Sequence, residues 1–272
     1  MKSLSIINPF NAPVFFEEIV SSTMDVSHQL ASESAAHGTV ITADFQKAGR
    51  GRIRNRCWEM EKGVNLPFTI LLRYSCIEDI PAALTLRAGL SVSLAIEDFK
   101  PSLRNLVFVK WPNDIMIGSK KAAGILCEAD GGYVHLGIGI NVAQKEFPEH
   151  LRDRAASIAL AGNGEQVTKN KEYLIEDEKQ IADNNGRFAL LEKILSRLYE
   201  ELEIPAAESW KPRLERRLYK RGGNIEFTEG AADSGKIVRG CLTGIGESGE
   251  LLILPDGEKE ARSFFTGEIK FF

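Results

Sequence analysis

Four short apolar segments lie close together between residues 106 and 142, and they constrain the fold more than any other feature. They read LVFVKW (106–111), DIMIG (114–118), AAGILCEAD (122–130) and GYVHLGIGINV (132–142). Only short turns separate them, whereas a parallel crossover connection needs a dozen or more residues. The segments therefore predict consecutive antiparallel hairpins rather than repeated β–α–β units.

Helical patterns flank these hairpins on the N-terminal side. Ser22 and Thr23 can N-cap a helix whose apolar residues continue to Ala36, and Gly38 would end it. Strands are predicted at 38–45 and 65–73, and a long apolar helix at 82–99. We therefore expect an α+β fold, with helices packed on a mixed β-sheet.

The C-terminal half changes character twice. Residues 161–186 are polar and charged with little periodicity, which is typical of a surface insertion. Helical patterns resume at 187–203 and 205–221, and short strands with Gly and Asp at their joints begin at Gly222. The sequence thus predicts a larger domain at 1–221 and a small SH3-like β-barrel at 222–272.

Composition excludes several classes of protein. The chain has 272 residues, 43% of them hydrophobic, and a formal net charge of −4, which argues against a general nucleic-acid binder. Its four cysteines form no CxxC pair and its four histidines no HxxxH spacing, so no metal site built by the protein is expected. We find neither a signal peptide nor an apolar run of about 18 residues, and expect a cytoplasmic protein with no membrane partner.

A basic loop between Gln46 and Trp58 is the strongest local feature. Its sequence, QKAGRGRIRNRCW, holds five cationic side chains and no acidic one. Glycines let the backbone approach a ligand, and guanidinium groups match phosphate or carboxylate oxygens. The loop indicates a small anionic ligand, although an exposed basic loop or a nucleic-acid contact would show the same pattern.

Three further segments carry polar groups on short turns or strands. Lys110-Trp111-Pro112-Asn113-Asp114 has the composition of a tight turn, and that alone could explain it. Lys121 precedes a small apolar strand, where its ammonium could stabilise negative charge in a transition state. Gly137-Ile138-Gly139-Ile140-Asn141 places glycines inside a strand, which indicates either close approach of a ligand or a crowded sheet.

Taken together and in this order, these segments resemble the biotin protein ligases. The motifs are GRGR-x-x-x-R-x-W (49–58), KWPND (110–114), K-x-AGIL (121–126) and G-x-G-x-N (137–141), with an early Ser22-Thr23 pair. The C-terminal GCLTGIGESGELLI (240–253) and Gly-Glu-Ile (267–269) are similar to the family's small barrel. The resemblance covers about residues 20–272 and implies the catalytic fold of that family at 1–221.

The resemblance implies an ATP-dependent reaction in two steps. Biotin and ATP form biotinyl-5′-AMP and pyrophosphate, and a lysine of a biotin carboxyl carrier domain then takes the biotinyl group. The implied ligands are biotin, ATP and Mg²⁺, and no covalent enzyme intermediate is implied. The implied biotin-binding residues are Ser22, Thr23, Met24, Gln46, Gly49, Arg50, Gly51, Arg52, Lys121, Gly124 and Gly139.

The family's motifs also imply a nucleotide site. Lys121 and Arg52 are the expected catalytic residues, and Asp114 is a candidate to interact with the Mg²⁺ that accompanies ATP. The expected ATP-binding residues are Arg52, Arg56, Trp58, Asn113, Asp114, Lys121 and Asn141.

The chain departs from the family pattern at three points. Met24 stands where asparagine is common, and Ile53-Arg54-Asn55 replaces a shorter Arg-Gly. Because the pattern begins near residue 20, we expect a ligase without the DNA-binding domain of the bifunctional ligase/repressors. The resemblance permits either a monomer or a homodimer. The alternatives are a lipoate or octanoate ligase or transferase of the same fold, and a nucleic-acid-binding module that uses the basic loop.

Overall fold

The computed structural model of the protein describes residues 1–53, 57–161, 186–230 and 235–270. Its larger part is an eight-stranded sheet in the order β1-β2-β3-β4-β8-β7-β6-β5. The strands are β1 Lys2–Ser3, β2 Val14–Val20, β3 Thr39–Gln46, β4 Leu66–Arg73, β5 Val107–Lys110, β6 Asp114–Ile117, β7 Lys120–Asp130 and β8 Tyr133–Ile140. Only β2 and β3 pair in parallel, and the other neighbours are antiparallel. The predicted mixed sheet and its consecutive hairpins are therefore confirmed.

Helices pack on this sheet. They are α1 Thr23–Ser32, α2 Leu84–Phe99, α3 Ile158–Ala161, α4 Gly186–Leu202 and α5 Trp210–Glu215, with 3₁₀ turns at Ile77–Asp79 and Pro101–Leu103. The stretch Ile77–Phe99 is long and apolar enough to cross a membrane by length and composition. Most residues of α2 are nevertheless buried against the sheet and α4, so we assign it as a core helix.

Two helices are shorter than their patterns predict. Helix α1 ends at Ser32 rather than Ala36, because Ser34 adopts a positive φ of 62° that the helix cannot continue through. The pattern at 205–221 yields only α5. After α5 the chain joins the edge of the sheet, where Leu218 pairs in parallel with Val109, and this pairing replaces helical hydrogen bonds.

A second, five-stranded antiparallel sheet follows in the order β12-β11-β10-β9-β13. Its strands are β9 Asn224–Glu229, β10 Lys236–Ile245, β11 Leu251–Pro255, β12 Arg262–Phe264 and β13 Gly267–Ile269. Its buried side chains, including Phe227 and Ile253, belong to the same apolar cluster as the core of the larger part. The C-terminal strands and the first sheet therefore share one continuous apolar core.

Trp111 joins the two sheets at the turn between β5 and β6. Its ring lies 5.9 Å from that of Phe227, and its Nε1–H donates to the carbonyl oxygen of Gly249 at 2.9 Å. A buried indole whose N–H has an acceptor stabilises a contact both by burying a large apolar surface and by its hydrogen bond. Trp111 therefore fixes the β5–β6 turn against the C-terminal strands.

Replacing Trp111 with alanine is expected to destabilise the protein by about 3–5 kcal/mol, since it leaves a large cavity between the sheets. Trp111→Phe should cost less because it loses mainly the hydrogen bond to Gly249. Urea unfolding of both variants measures the difference. Equal losses for the two variants would contradict this account of the contact.

Candidate active site

The polar end of the site is built where α1 begins beside the end of β3. The Oγ of Ser22 accepts from the backbone N–H of Met24 and caps the helix. Both the backbone N–H and the hydroxyl of Thr23 donate to Oε1 of Gln46, at 2.8 and 3.0 Å. The side chains of Ser22, Thr23 and Gln46 are all buried, so hydrogen bonds within the protein fix the orientation of the Gln46 amide.

Met24 forms part of the apolar floor. A Cβ added to Gly137 on β8 would lie 2.7 Å from Sδ of Met24, so the thioether rests directly on the strand backbone. This contact explains the glycine in the strand, since any side chain at 137 would displace Met24. Met24, which stands where the family commonly has asparagine, is thus packed into the floor of the pocket.

The two ends of the basic loop pair with each other. The N–H of Trp58 donates to the carbonyl oxygen of Gly49 at 2.9 Å, and Arg50 forms a β-bridge with Cys57. Arg50 reaches outward, where it donates to Asp25 at 2.9 Å and lies 3.6 Å from Glu128. The side chain of Arg50 therefore ties the loop to α1 and β7.

Arg52 points to the other side of the loop. Its guanidinium donates to the carbonyl oxygen of Gly267 in the second sheet at 3.1 Å. A crevice between the loop and the β5–β6 turn is lined by Gly51, Arg52, Ile53, Lys110, Trp111, Pro112, Asn113, Asp114 and Glu268. The loop therefore contacts both sheets.

The indole of Trp58 lies across two glycines of the sheet. A Cβ on Gly139 would lie 2.8 Å from Cε2 of Trp58, and one on Gly124 would lie 3.3 Å from Cζ3. The Nε1–H of Trp58 is buried and finds no acceptor among the described residues. A ligand seated on these glycines must either contact the indole or displace it.

Lys121 is aimed by an irregularity in β7. The register between β6 and β7 shifts after Ile115, and residue 122 has no partner on β6. Instead the carbonyl oxygen of Ala122 accepts from the N–H of Asn141. Such bulges redirect a neighbouring side chain. Here Nζ of Lys121 lies 2.6 Å from Oδ1 of Asp114 and 5.8 Å from the Trp58 ring centre.

A second lysine lies buried beside the first. Burial lowers the pKa of Lys110 to about 8, while the carboxylates of Asp114 and Glu268 act in the opposite direction. Sequence patterns identified Lys110 only as part of the turn motif and gave it no role. Its burial could not be read from a turn sequence, because burial depends on parts of the chain distant in sequence, such as Glu268 of the second sheet, which lines the same crevice.

The two predicted asparagines lie in different surroundings. The Nδ2 group of Asn113 donates to the carbonyl oxygen of Ile125, and the residue lines the pocket. Asn141 is buried behind the pocket and donates to the carbonyl oxygen of Ala156. Its Oδ1 has no partner among the described residues. Asn141 therefore holds the segment that pairs with Lys121 at Ala155.

Most of the predicted residues meet at one pocket. The lining comprises Ser22, Thr23, Met24, Gln46, Arg50, Gly51, Arg52, Trp58, Phe68, Asn113, Gly124, Ile125, Leu126, Gly137, Ile138 and Gly139. The crevice beside it shares Gly51, Arg52 and Asn113 and adds Asp114. Gly49, Lys121 and Asn141 line neither space. Arg56 and most of the predicted insertion at 161–186 lie outside the described residues.

A histidine pair packs behind the polar end. The rings of His28 and His135 stack with centres 3.8 Å apart, and Nδ1 of His135 hydrogen-bonds the Oγ of Ser27 at 2.8 Å. His28 also hydrogen-bonds Glu128, which interacts with Arg50. Burial, and secondarily the charge of His28, lowers the pKa of His135 to about 4.

The protein is expected to lose stability as the pH falls from about 6.5 to about 4. Over this range the unfolded chain gains a proton at His135 that the folded protein does not bind, so acid favours unfolding. His135→Gln should flatten this dependence, measured as the melting temperature across the pH range. His150→Gln, at an exposed residue that pairs with Glu59, should leave it unchanged. An unaltered slope in His135→Gln would contradict the assignment.

Comparison with known proteins supports one family. Residues 16–144 match the model of the biotin/lipoate A/B protein ligase family. The bifunctional ligase/repressor BirA of Bacillus subtilis is 37% identical over 167 residues, which are 57% of this chain and 49% of that protein. A biotin–[acetyl-CoA-carboxylase] ligase of Mycobacterium tuberculosis is 32% identical over 146 residues, covering 52% and 53%. The chain thus spans about half the length of these curated relatives.

Solved structures match over nearly the whole chain. A mutant biotin protein ligase from Aquifex aeolicus in complex with biotin is 30% identical with a TM-score of 0.71, covering 96% of this chain and 98% of that one. The same ligase in complex with biotin and ATP is 29% identical with a TM-score of 0.71, covering 94% and 97%. On this likeness, and on the motifs gathered at the pocket, the chain belongs to the biotin protein ligases of the biotin/lipoate A/B protein ligase family.

Proposed function

We propose that the protein is an ATP-dependent biotin protein ligase. It joins biotin to ATP as biotinyl-5′-AMP and then passes the biotinyl group to a lysine of a biotin carboxyl carrier domain. One observation carries the proposal: two adjoining spaces share Gly51, Arg52 and Asn113 as a common wall. The first has a buried polar end and an apolar floor, and the second contains the cations Arg52 and Lys110.

The first pocket suits biotin. The ureido ring presents one carbonyl acceptor and two N–H donors. Because Oε1 of Gln46 is occupied by Thr23, its Nε2 hydrogens lie on the other side, next to Gly49 of the loop. They are the donors offered to the ureido carbonyl, while the hydroxyls of Ser22 and Thr23 supply acceptors. The thioether of Met24 and the glycine backbone of β8 contact the apolar ring, and the Arg50 backbone closes the site.

The adjoining space suits the phosphates of ATP. In the first step a biotin carboxylate oxygen bonds to the α-phosphorus, and the bond from that phosphorus to the pyrophosphate oxygen breaks. Negative charge spreads over the phosphoryl oxygens in the transition state, so positioned cations lower the barrier most. Lys121 and Arg52 supply them, and Asp114 orients the Lys121 ammonium through their 2.6 Å contact.

The nucleotide takes the space beyond the loop. Asn113 lines both spaces and can hold the ribose or phosphate. Trp58 offers an aromatic face at the edge of the first pocket. Asn141 is buried behind the pocket and acts indirectly. It orders the segment around Ala156, which flanks Lys121. On the family motif alone, Arg56 is a further candidate cation for phosphate.

Magnesium would enter with the nucleotide. The described residues contain no group of three His, Cys, Asp or Glu side chains placed to hold a metal ion. Nucleotide enzymes commonly bind Mg²⁺ through one or two carboxylates together with substrate phosphates, and Asp114 is a carboxylate at the phosphate space. Asp114 fits this role as a single ligand, and the ion would supply charge neutralisation on the phosphates.

The second step delivers biotin to a protein. The neutral amine of the carrier lysine attacks the acyl carbon, the bond to AMP breaks, and the amine loses a proton as the amide forms. The name of the Mycobacterium relative supports a carboxylase carrier domain as the acceptor. Four free cysteines support a location in the reducing cytoplasm.

Exchange of labelled pyrophosphate into ATP tests the first step. Exchange that depends on biotin supports the proposal, whereas exchange with lipoate or octanoate alone would replace it with the activity of the related ligases. Duplex DNA binding with a steep salt dependence, about −0.9 in log–log slope per phosphate contacted, would instead favour a nucleic-acid role for the loop.

A further inference from the structure

We propose that Thr69 is a positioning residue for biotin, acting through Thr23 on the amide of Gln46. Thr69 belongs to none of the sequence motifs and does not line the pocket. The inference rests on the proposed function, because it assigns a role in binding the same ligand.

A chain of hydrogen bonds connects β4 to the polar end of the site. The hydroxyl of Thr69 donates to Oγ1 of Thr23 at 2.8 Å. The Thr23 hydroxyl donates in turn to Oε1 of Gln46 at 3.0 Å. Three elements, β4, α1 and β3, thus meet in one relay.

The direction of this relay follows from the atoms involved. The backbone N–H of Thr23 can only donate, so the atom of Gln46 that it contacts at 2.8 Å must be the amide oxygen. That oxygen can only accept, so the Thr23 hydroxyl must donate its single hydrogen to it. Oγ1 of Thr23 is therefore an acceptor towards Thr69, and the hydroxyl of Thr69 is the donor.

The location of Thr69 makes this contact rigid. Thr69 is 0% exposed, and it lies between Ile41 on β3 and Gly137 on β8 in the sheet register. Gly137 carries the Met24 side chain above it. The backbone of β4 therefore cannot shift without disturbing the pocket floor, and the Thr69 hydroxyl is held at a fixed place beneath α1.

The relay assigns donors and acceptors at the site. With the Thr69 hydrogen bond in place, the Thr23 proton is committed to Gln46, and the remaining lone pair of Thr23 is available to a ligand N–H. The Nε2 hydrogens of Gln46 are then available to a ligand carbonyl. Without the Thr69 hydroxyl, Thr23 loses its buried donor and its hydroxyl can rotate away, which leaves the amide of Gln46 less tightly held, mainly by the backbone N–H of Thr23.

Replacing Thr69 with valine removes the hydroxyl while conserving shape. We expect the Kd for biotin, measured by calorimetry without ATP, to rise about 5- to 20-fold. The KM for biotin in pyrophosphate exchange should rise with it, while the KM for ATP and kcat change less than about 2-fold. Thr69→Ser, which restores the hydroxyl, should return the Kd for biotin to within about 2-fold of wild type.

Thr42→Val provides the matched control. Thr42 is also buried in the sheet, and its hydroxyl donates to the carbonyl oxygen of Pro67 at 2.8 Å; neither Thr42 nor Pro67 lines the pocket or contacts Thr23 or Gln46 in the hydrogen bonds described. A purely structural role predicts the same loss of stability and the same small effect on biotin for Thr42→Val and Thr69→Val. The positioning role predicts that only Thr69→Val weakens biotin binding.

The outcomes separate the two proposals. A wild-type protein that neither binds biotin nor supports exchange would overturn the proposed function. An active wild type in which Thr69→Val binds biotin as Thr42→Val does, or in which Thr69→Ser fails to recover, would overturn the role of Thr69 alone. If Thr69→Val does not fold, Thr69→Ala is a second variant that lacks the hydroxyl. Its Kd for biotin is then compared with that of Thr69→Ser, and the same difference of about 5- to 20-fold is expected.

Discussion

Lys121→Ala is expected to slow biotin-dependent pyrophosphate exchange by about 10²- to 10³-fold, the usual cost of removing a group that stabilises transition-state charge. The residue lies near the start of β7 and its side chain is partly exposed, so the fold should survive. Because its ammonium acts on charge that develops during adenylation, the loss should appear mainly in kcat rather than in the Kd for biotin.

Lys120→Ala is the matched control for this variant. The Lys120 ammonium donates to the carbonyl oxygen of Arg152, whereas the Lys121 ammonium contacts Asp114 of the crevice. A second variant, Lys121→Ala with Asp114→Asn, removes the carboxylate that the first leaves without its partner. Recovery of exchange in this double variant would show that the single loss came from an orphaned carboxylate, and would contradict the role of Lys121.

Gly139→Val is expected to weaken biotin binding by about 100-fold, near the upper end of what overpacking costs. A Cβ at this position would lie 2.8 Å from the indole of Trp58, and the valine methyl groups would enter the pocket. Valine is favoured in strands, so β8 should still form. Calorimetry with biotin measures the effect.

Two comparisons identify the cause of this loss. Ala129→Val adds a similar bulk to an exposed position of the same hairpin and should leave biotin binding unchanged. Combining Gly139→Val with Trp58→Ala removes the clash with the indole but keeps the methyl groups in the pocket. Full recovery in the combined variant would show that the valine acts only by moving Trp58, and biotin would then not lie on Gly139.

Local patterns were sufficient for much of the fold and for many of the site residues. The hairpins from Val107 to Ile140 were predictable because alternating apolar residues and tight turns are local features. The Ser22 cap was predictable for the same reason. The motif residues could be named in advance because close backbone approach needs glycine, and anions need arginine or lysine.

Contacts between distant parts of the chain could not be predicted in this way. Local patterns do not predict strand β2, because its sequence, VFFEEIV, follows a segment interrupted by prolines and its parallel partner is a separate element. The 205–221 pattern overpredicted a helix because pairing of Leu218 with β5 is a tertiary event. Thr69 looked like an ordinary strand residue, since only the fold places it beneath Thr23.

Mass spectrometry of a biotin carboxyl carrier domain, incubated with the protein, ATP, Mg²⁺ and biotin, tests whether the protein is a biotin ligase. We expect the carrier to gain one biotinyl group on its target lysine. We expect no gain when ATP is omitted or when that lysine is replaced by arginine. A carrier that stays unmodified beside a correctly folded protein, or that is modified by lipoate but not by biotin, would contradict this function.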